Sequence, residues 1–260
     1  MSTLSWIIVF CLIGGALSVI AASVFLFIPN HMRQRLLPHM LSFAIGALLG
    51  AAFLALLPHA LEGPGVVDLH AITLTVLLGV LGFFLLEKMV LWRHCHTDEC
   101  EAHVDVREDQ PNRAAGAIVL IGDSLHNFVD GILIAAAFLT DIHLGVVTAL
   151  AVAAHEIPQE VGDFIILLHS GYSRARALFF NLLSSLTTVI GGILAWYGLS
   201  GLENILPYVL ALAASSFIYI AIADLIPTLH KRAELRETLQ QILLIVAGVS
   251  IIYMAHSTLH

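Results

Sequence analysis

The sequence predicts an all-α integral membrane protein, eight transmembrane helices in a bundle, and three observations carry that expectation. The 260-residue chain is 59% hydrophobic and only 12% charged, with a mean hydropathy of +0.93; soluble domains run nearer a quarter charged. Its apolar residues fall into eight stretches of about 20 residues, the length that spans a hydrocarbon core. The 11 basic residues lie in or beside alternate connections between those stretches, as they would if every stretch crossed a bilayer.

The first span covers residues 4–28 and ends at Pro29 and Asn30. It lacks the basic start of a secretory leader, and its apolar run exceeds a leader's usual length, so an uncleaved span is expected. The second covers 37–57, closed by Pro58 and His59, and the third covers 70–92. A polar connection, 93–113, follows. The remaining spans are 114–139, 143–169, 177–199, 205–226 and 239–258. With no soluble domain or tandem repeat in sight, residues 1–260 read as a single transmembrane domain.

Arg33 and Arg35, then Lys88, Arg93, Arg107 and Arg113, then Arg174 and Arg176, then Lys231, Arg232 and Arg236 mark the first, third, fifth and seventh connections. The other connections and both ends of the chain carry no Lys or Arg. By the positive-inside rule both termini lie outside the cytoplasm and the 93–113 loop lies within it. The plasma (inner) membrane is the expected location. Cys11 falls in the first span, whereas Cys95 and Cys100 fall in the cytoplasmic loop, where a structural disulfide would be unusual. The net charge of -8 is divided between loops and spans, and no basic patch supports nucleic-acid binding.

Two spans carry groups that a bilayer makes costly. HNFVDG (126–131) and HEIPQEVGD (155–163) bring His126, Asp130, His155, Glu156, Glu160 and Asp163 into adjacent helices. Each such group near the midplane costs roughly 2.5–3.5 kcal/mol on the insertion scale. Positions four apart share a helix face, so His126 and Asp130 point together, with Asn127 about 100° round. His155 and Gln159 share one face of the fifth span; Glu156, Glu160 and Asp163 follow along the next. Imidazole nitrogens beside carboxylate oxygens suit zinc, iron(II), manganese or cobalt, and the absence of cysteine argues against copper(I). Pro158 removes the N–H that would bond the Ala154 carbonyl and is expected to open the helix at this cluster. Gly162 is expected to permit close backbone approach one turn later. A lone Asn or Ser at such depth would serve as an interhelical hydrogen bond; two histidines and several carboxylates around a proline point instead to a cation.

HNFVDG followed by HEIPQEVGDF resembles the paired signature of the Zrt/Irt-like (ZIP) divalent-metal transporters, in its HExPxExGD form. Eight spans, outside termini and a cytoplasmic loop after the third span are similar to that family along essentially the whole chain. The resemblance implies a binuclear-type metal site between the fourth and fifth helices, movement of the cation into the cytoplasm, and a homodimer. It implies ligation by His126, Asn127 and Asp130, and by His155, Glu156 and Gln159. Gln159 stands where relatives in this branch carry histidine, so a neutral carbonyl replaces a strong ligand and Glu160 is expected to compensate. Many relatives place a carboxylate on the sixth helix, where Ser184 to Thr188 offer only hydroxyls.

Secondary sites follow. His59 and Glu62, with His70 beyond, read either as an extracellular capture point or as a solvated helix end. His94, Cys95, His96, Cys100 and His103 give the cytoplasmic loop weak metal-binding character without a standard zinc spacing. His143 reads as a solvated loop residue, Asp224 as a buried packing or gating group, and His256 as a satisfied buried histidine.

Taken together, the chain is expected to carry divalent cations, zinc first, into the cytoplasm by alternating access. The partners are the cation and the lipid bilayer; no catalytic residue and no cofactor beyond the transported ion is expected. No nucleotide-binding loop is present to power movement with ATP. One rival reading is an exporter built from similar ligands. Another is an intramembrane zinc protease, since HEIPQ begins like HExxH, but Gln159 replaces its second histidine and HNFVDG has no place in that chemistry.

Overall fold

The computed structural model describes residues 1–66, 68–92, 113–230 and 235–259. Among them are eight long helices: α1 (Thr3–Phe25), α2 (His31–Glu62), α3 (Leu69–Met89), α4 (Arg113–Thr140), α5 (Ile142–His169), α6 (Arg174–Leu199), α7 (Leu206–Leu229) and α8 (Leu235–Thr258). All but α5 are long and apolar enough to cross a membrane. α5 falls short because His155, Glu156, Gln159, Glu160 and Asp163 interrupt it. The helix that fails on hydropathy is the one that carries the second polar motif. The His94–His103 cluster of the 93–113 loop lies outside the described residues.

Local chemistry sets the helix ends. The Ser2 hydroxyl accepts from the Ser5 amide at the start of α1, and the Ser173 hydroxyl accepts from the Arg176 amide at the start of α6. Asp141 alone separates α4 from α5, and its Oδ1 accepts from the amides of His143 at 2.8 Å and Leu144 at 3.0 Å. That cap turns the chain back within one residue, so α4 and α5 form a tight antiparallel pair. Gly65, Gly171 and Gly201 have positive φ at the turns after α2, α5 and α6.

Two expectations about proline are revised. The second helix runs on past Pro58 and His59 to Glu62 because Pro58 follows a π-helical turn, Ala52–Leu56, where the hydrogen-bond register has already shifted. Pro227 follows a second such turn, Ile220–Leu225, in the same way. Pro158, by contrast, does not interrupt α5, which stays helical from Ile142 to His169; a freed carbonyl is tolerated where neighbouring helices surround it.

Small residues knit the helices into two groups. In the first, a Cβ on Gly131 of α4 would lie 1.9 Å from the Thr188 carbonyl of α6, and one on Gly191 would lie 2.1 Å from the Phe128 carbonyl. Only glycine permits that approach. α1 closes this group through Ile7 and Cys11 against Gly192, and α5 packs on α4 and α1. In the second group, Gly46 and Gly248 bring α2 and α8 together against Ile245 and Phe43, while Gly79 of α3 meets Ser215 of α7. α5 leans on α2 between the groups. Gly162, expected at a close approach, meets nothing within 4 Å, so the tight seam belongs to α4 and α6 instead. The outer faces of α3 and α8 expose Leu74, Leu77, Leu81, Leu239 and Leu243, apolar surface suited to hydrocarbon.

Candidate metal site

Each candidate ligand reaches the cluster because of its helical register. Asp130 follows His126 by one turn on α4, and His155 and Glu156 are neighbours on the facing stretch of α5. Their side chains meet in the interior: Asp130, His155 and Glu156 are fully buried, and one ligand atom from each of the four residues lies within 4.8 Å of the others. His126 Nε2 is 3.2 Å from His155 Nε2, 3.3 Å from Glu156 Oε1 and 3.7 Å from Asp130 Oδ2. His155 Nε2 is 3.3 Å from Asp130 Oδ2 and 3.6 Å from Glu156 Oε1. Tetrahedral zinc with bonds of about 2.0–2.1 Å holds its ligand atoms about 3.3–3.4 Å apart, and the observed spacings cluster around that value.

The hydrogen-bonding pattern also favours a cation. His155 Nδ1 lies 3.1 Å from the Ala151 carbonyl, a contact that calls for a proton on Nδ1 and leaves the Nε2 lone pair facing the site. There it confronts carboxylate oxygens: both oxygens of Asp130 and both of Glu156 are buried without a hydrogen-bond donor. Such orphaned acceptors cost about 1–3 kcal/mol each, more when charged. Lone pairs aimed at lone pairs at this depth call for a positive charge between them.

The remaining predicted residues are distributed less simply. Asn127 is buried but engaged: its Nδ2 donates to Asp123 Oδ1 at 2.8 Å, and its Oδ1 accepts from Thr188 Oγ1 at 2.8 Å. Glu160 converges with Asp123 and Glu156, one oxygen of each within 4.8 Å of the others. Gln159 is half-buried and lines a cavity of about 330 Å³ with Glu87, His126, Ser216, Tyr219 and Asp224. Asp163 is half-buried and outside both ligand groups.

Asp123 is the functional candidate that sequence reasoning missed. It precedes His126 by three residues and Asp130 by seven, on the same helical stripe, and that spacing was the available signal. Its Oδ2 accepts from Ser184 Oγ at 2.5 Å. The hydroxyls of α6 therefore do not replace a carboxylate; Ser184 orients Asp123 and Thr188 orients Asn127, while Thr187 Oγ1 donates to the Ser124 carbonyl.

Three secondary expectations change. Asp224 is exposed toward the cavity rather than buried. His143 is half-buried in the first turn of α5, not in a loop. His256 is half-buried against His59, with ring centroids 5.3 Å apart, while Glu62 and His70 are exposed.

The sequence profile of the ZIP Zinc transporter family matches residues 3–113 and 92–255. The chain belongs to the ZIP zinc transporter family. Among the relatives of this ZIP transporter, zinc transporter ZIP13 of Pongo abelii is 34% identical, over 96% of this chain and 78% of its own length. The zinc transporter ZIP13 homolog of Drosophila melanogaster is 31% identical, over 84% of this chain and 77% of its own. Zinc transporter ZIP13 of Homo sapiens is 31% identical, over 96% and 81%. Family membership makes this multi-pass membrane protein a transporter rather than an enzyme, which removes the protease reading, and it makes zinc the ion to which the site is to be fitted.

Proposed function

We propose that this protein carries zinc, and with lower preference iron(II), manganese, cobalt or cadmium, from outside into the cytoplasm by alternating access without ATP. The observation that carries the proposal is the convergence of His126, Asp130, His155 and Glu156, with orphaned oxygens facing an imidazole lone pair. An ion arriving from outside sheds hydration water and regains ligands from these four groups, with Asn127, Gln159 and Glu160 close by. Relatives named as zinc transporters over nearly the whole chain support the same cargo. The cavity past Gln159 and His126 toward Glu87 and Asp224 runs to the ends of α3 and α7 that the basic connections place in the cytoplasm, and so supports an inward path. On this reading both termini face outward at the plasma (inner) membrane, the 93–113 loop receives the released ion, and the chain works as a homodimer.

Direction is tested by expressing the chain in zinc-starved cells and measuring cell-associated zinc after a pulse of external zinc. An importer raises the initial rate of accumulation above that of vector controls. A fall in cell zinc would establish the exporter reading instead.

A further inference from the structure

The cavity beside the four-residue cluster has two unlike walls. α4 and α5 supply His126 and Gln159, while α3 and α7 supply Glu87, Ser216, Tyr219 and Asp224. Glu87 is the one ionisable side chain of α3 between His70 and Lys88, and its neighbours Leu81, Phe84 and Leu85 are exposed as for lipid. A carboxylate on such a helix is costly unless a partner or water meets it. The partner is Tyr219, 132 residues away, whose hydroxyl donates to Glu87 Oε2 at 2.5 Å. Phenol to carboxylate at that distance is a charge-assisted bond of the short, strong kind. Its place follows from the packing. Gly79 of α3 meets Ser215 of α7, with a Cβ on Gly79 only 2.0 Å from Ser215 Oγ, and Tyr219 lies one turn farther along α7. A carboxylate offers about four acceptor directions, so the phenol fixes the group and leaves most of them for the cavity.

We propose that Tyr219 is a positioning residue for ion release: its hydroxyl tethers Glu87 to the α3–α7 wall, so that an ion leaving His126 meets a carboxylate that draws it on without holding it. This role rests on the inward path proposed above. An untethered glutamate keeps its rotamer freedom and closes on a passing divalent ion with both oxygens. Tied to the phenol, Glu87 shares its negative charge with the hydroxyl and keeps one oxygen occupied, which makes it a weaker ligand at the same place. The charge speeds departure from the cluster, and the tether keeps the ion from stopping again. Neither residue belongs to HNFVDG or HEIPQEVGD; tertiary packing alone brings the two together.

Initial zinc uptake by zinc-starved cells expressing the full chain, over a range of external zinc and normalised to protein in the membrane, separates this role from a structural one. Tyr219→Phe keeps the ring and removes the donor. Its maximal rate is expected to fall about tenfold, the scale of one hydrogen bond to a charged group, with half-saturating zinc at or below the wild-type value. Glu87→Gln keeps an amide oxygen for the phenol to bond and removes the charge, and is expected to slow uptake to a similar extent. In the double variant the phenol has no charge left to position, so the rate is no lower than that of the slower single variant. Tyr219→Phe working at the wild-type rate, a raised half-saturating zinc at an unchanged maximal rate, or two reductions that multiply in the double variant would overturn the tether. A wild-type chain that lowers cell zinc instead fails the inward path. The tether then shows in efflux from zinc-loaded cells, where the two variants again slow movement without multiplying, and multiplication there overturns it as well.

Discussion

Replacing His155 by alanine removes the side chain at the centre of the proposed His126–Asp130–His155–Glu156 site. Its Nε2 lies 3.2–3.6 Å from a ligand atom of each of His126, Asp130 and Glu156. Four-ligand zinc sites bind with about 10–16 kcal/mol in total, or about 2.5–4 kcal/mol per ligand if shared evenly. At 1.4 kcal/mol per tenfold, that corresponds to a loss of affinity on the order of a hundredfold. The two carboxylates that faced His155 keep their orphaned oxygens, so nothing in the site replaces the lost nitrogen. The assay is initial zinc influx into proteoliposomes that trap a zinc-sensitive dye, with external zinc below the half-saturating concentration and reconstituted protein quantified. Influx through His155→Ala is expected to fall by about a hundredfold, whereas His70→Ala, at a side chain 96% exposed beside Asp68, leaves it unchanged. A folded His155→Ala protein transporting within threefold of wild type would refute the assignment of these four residues to the cargo.

Further predictions concern selectivity, protons and packing. Gln159→His adds an imidazole beside His126 on the cavity wall, so the ratio of zinc to manganese influx is expected to rise about tenfold, following the preference of imidazole for zinc; an unchanged ratio in competition uptake would remove Gln159 from the path. Because His and carboxylate ligands bind metal only when deprotonated, protons compete with the ion and the sign is fixed: influx at low zinc falls as the outside medium is acidified. Uptake that is unchanged or rises on acidification would count against ligation by these groups. Gly131→Ala forces a methyl to within 1.9 Å of the Thr188 carbonyl and is expected to cost about 1–3 kcal/mol, seen as a drop of several degrees in the detergent melting midpoint. Gly162→Ala meets nothing within 4 Å and gains up to about 1 kcal/mol of helix propensity, so its midpoint holds or rises; equal shifts for the two would contradict the α4–α6 seam.

The eight helices were legible because hydrophobic length and the sidedness of basic residues are properties of the chain itself. Helical spacing paired His126 with Asp130 on one face and put His155 and Glu156 on adjacent faces of the next helix. The four-residue set itself came from the family resemblance, and the structure brings those four side chains together. What periodicity could not settle was which way a residue at the edge of a stripe turns. Gln159 shares a face with His155 by spacing, yet it lines the cavity, and Glu160 beside it joins Asp123 instead. The α6 contacts were illegible for another reason. Ser184 and Thr188 each meet a partner 61 residues away, and a hydroxyl's target depends on tertiary packing that no local pattern encodes. Pro158 misled because proline's effect was judged on the helix alone, without the neighbours that let α5 continue.

The single-residue turn at Asp141 has a consequence for how the protein is made. α5 carries Glu156, Glu160 and Asp163, and at roughly 2.5–3.5 kcal/mol for each carboxylate near mid-bilayer it is a poor candidate to leave the translocon alone. α4 is synthesised just ahead of it and is already bound to it by a one-residue cap. The two can enter lipid as a hairpin, each hiding the other's polar face, before α6 emerges to supply its hydroxyls. The order of helices along the chain is thus part of how the cluster is built, since the groups proposed to catch a cation are also those that make α5 depend on its predecessor for insertion.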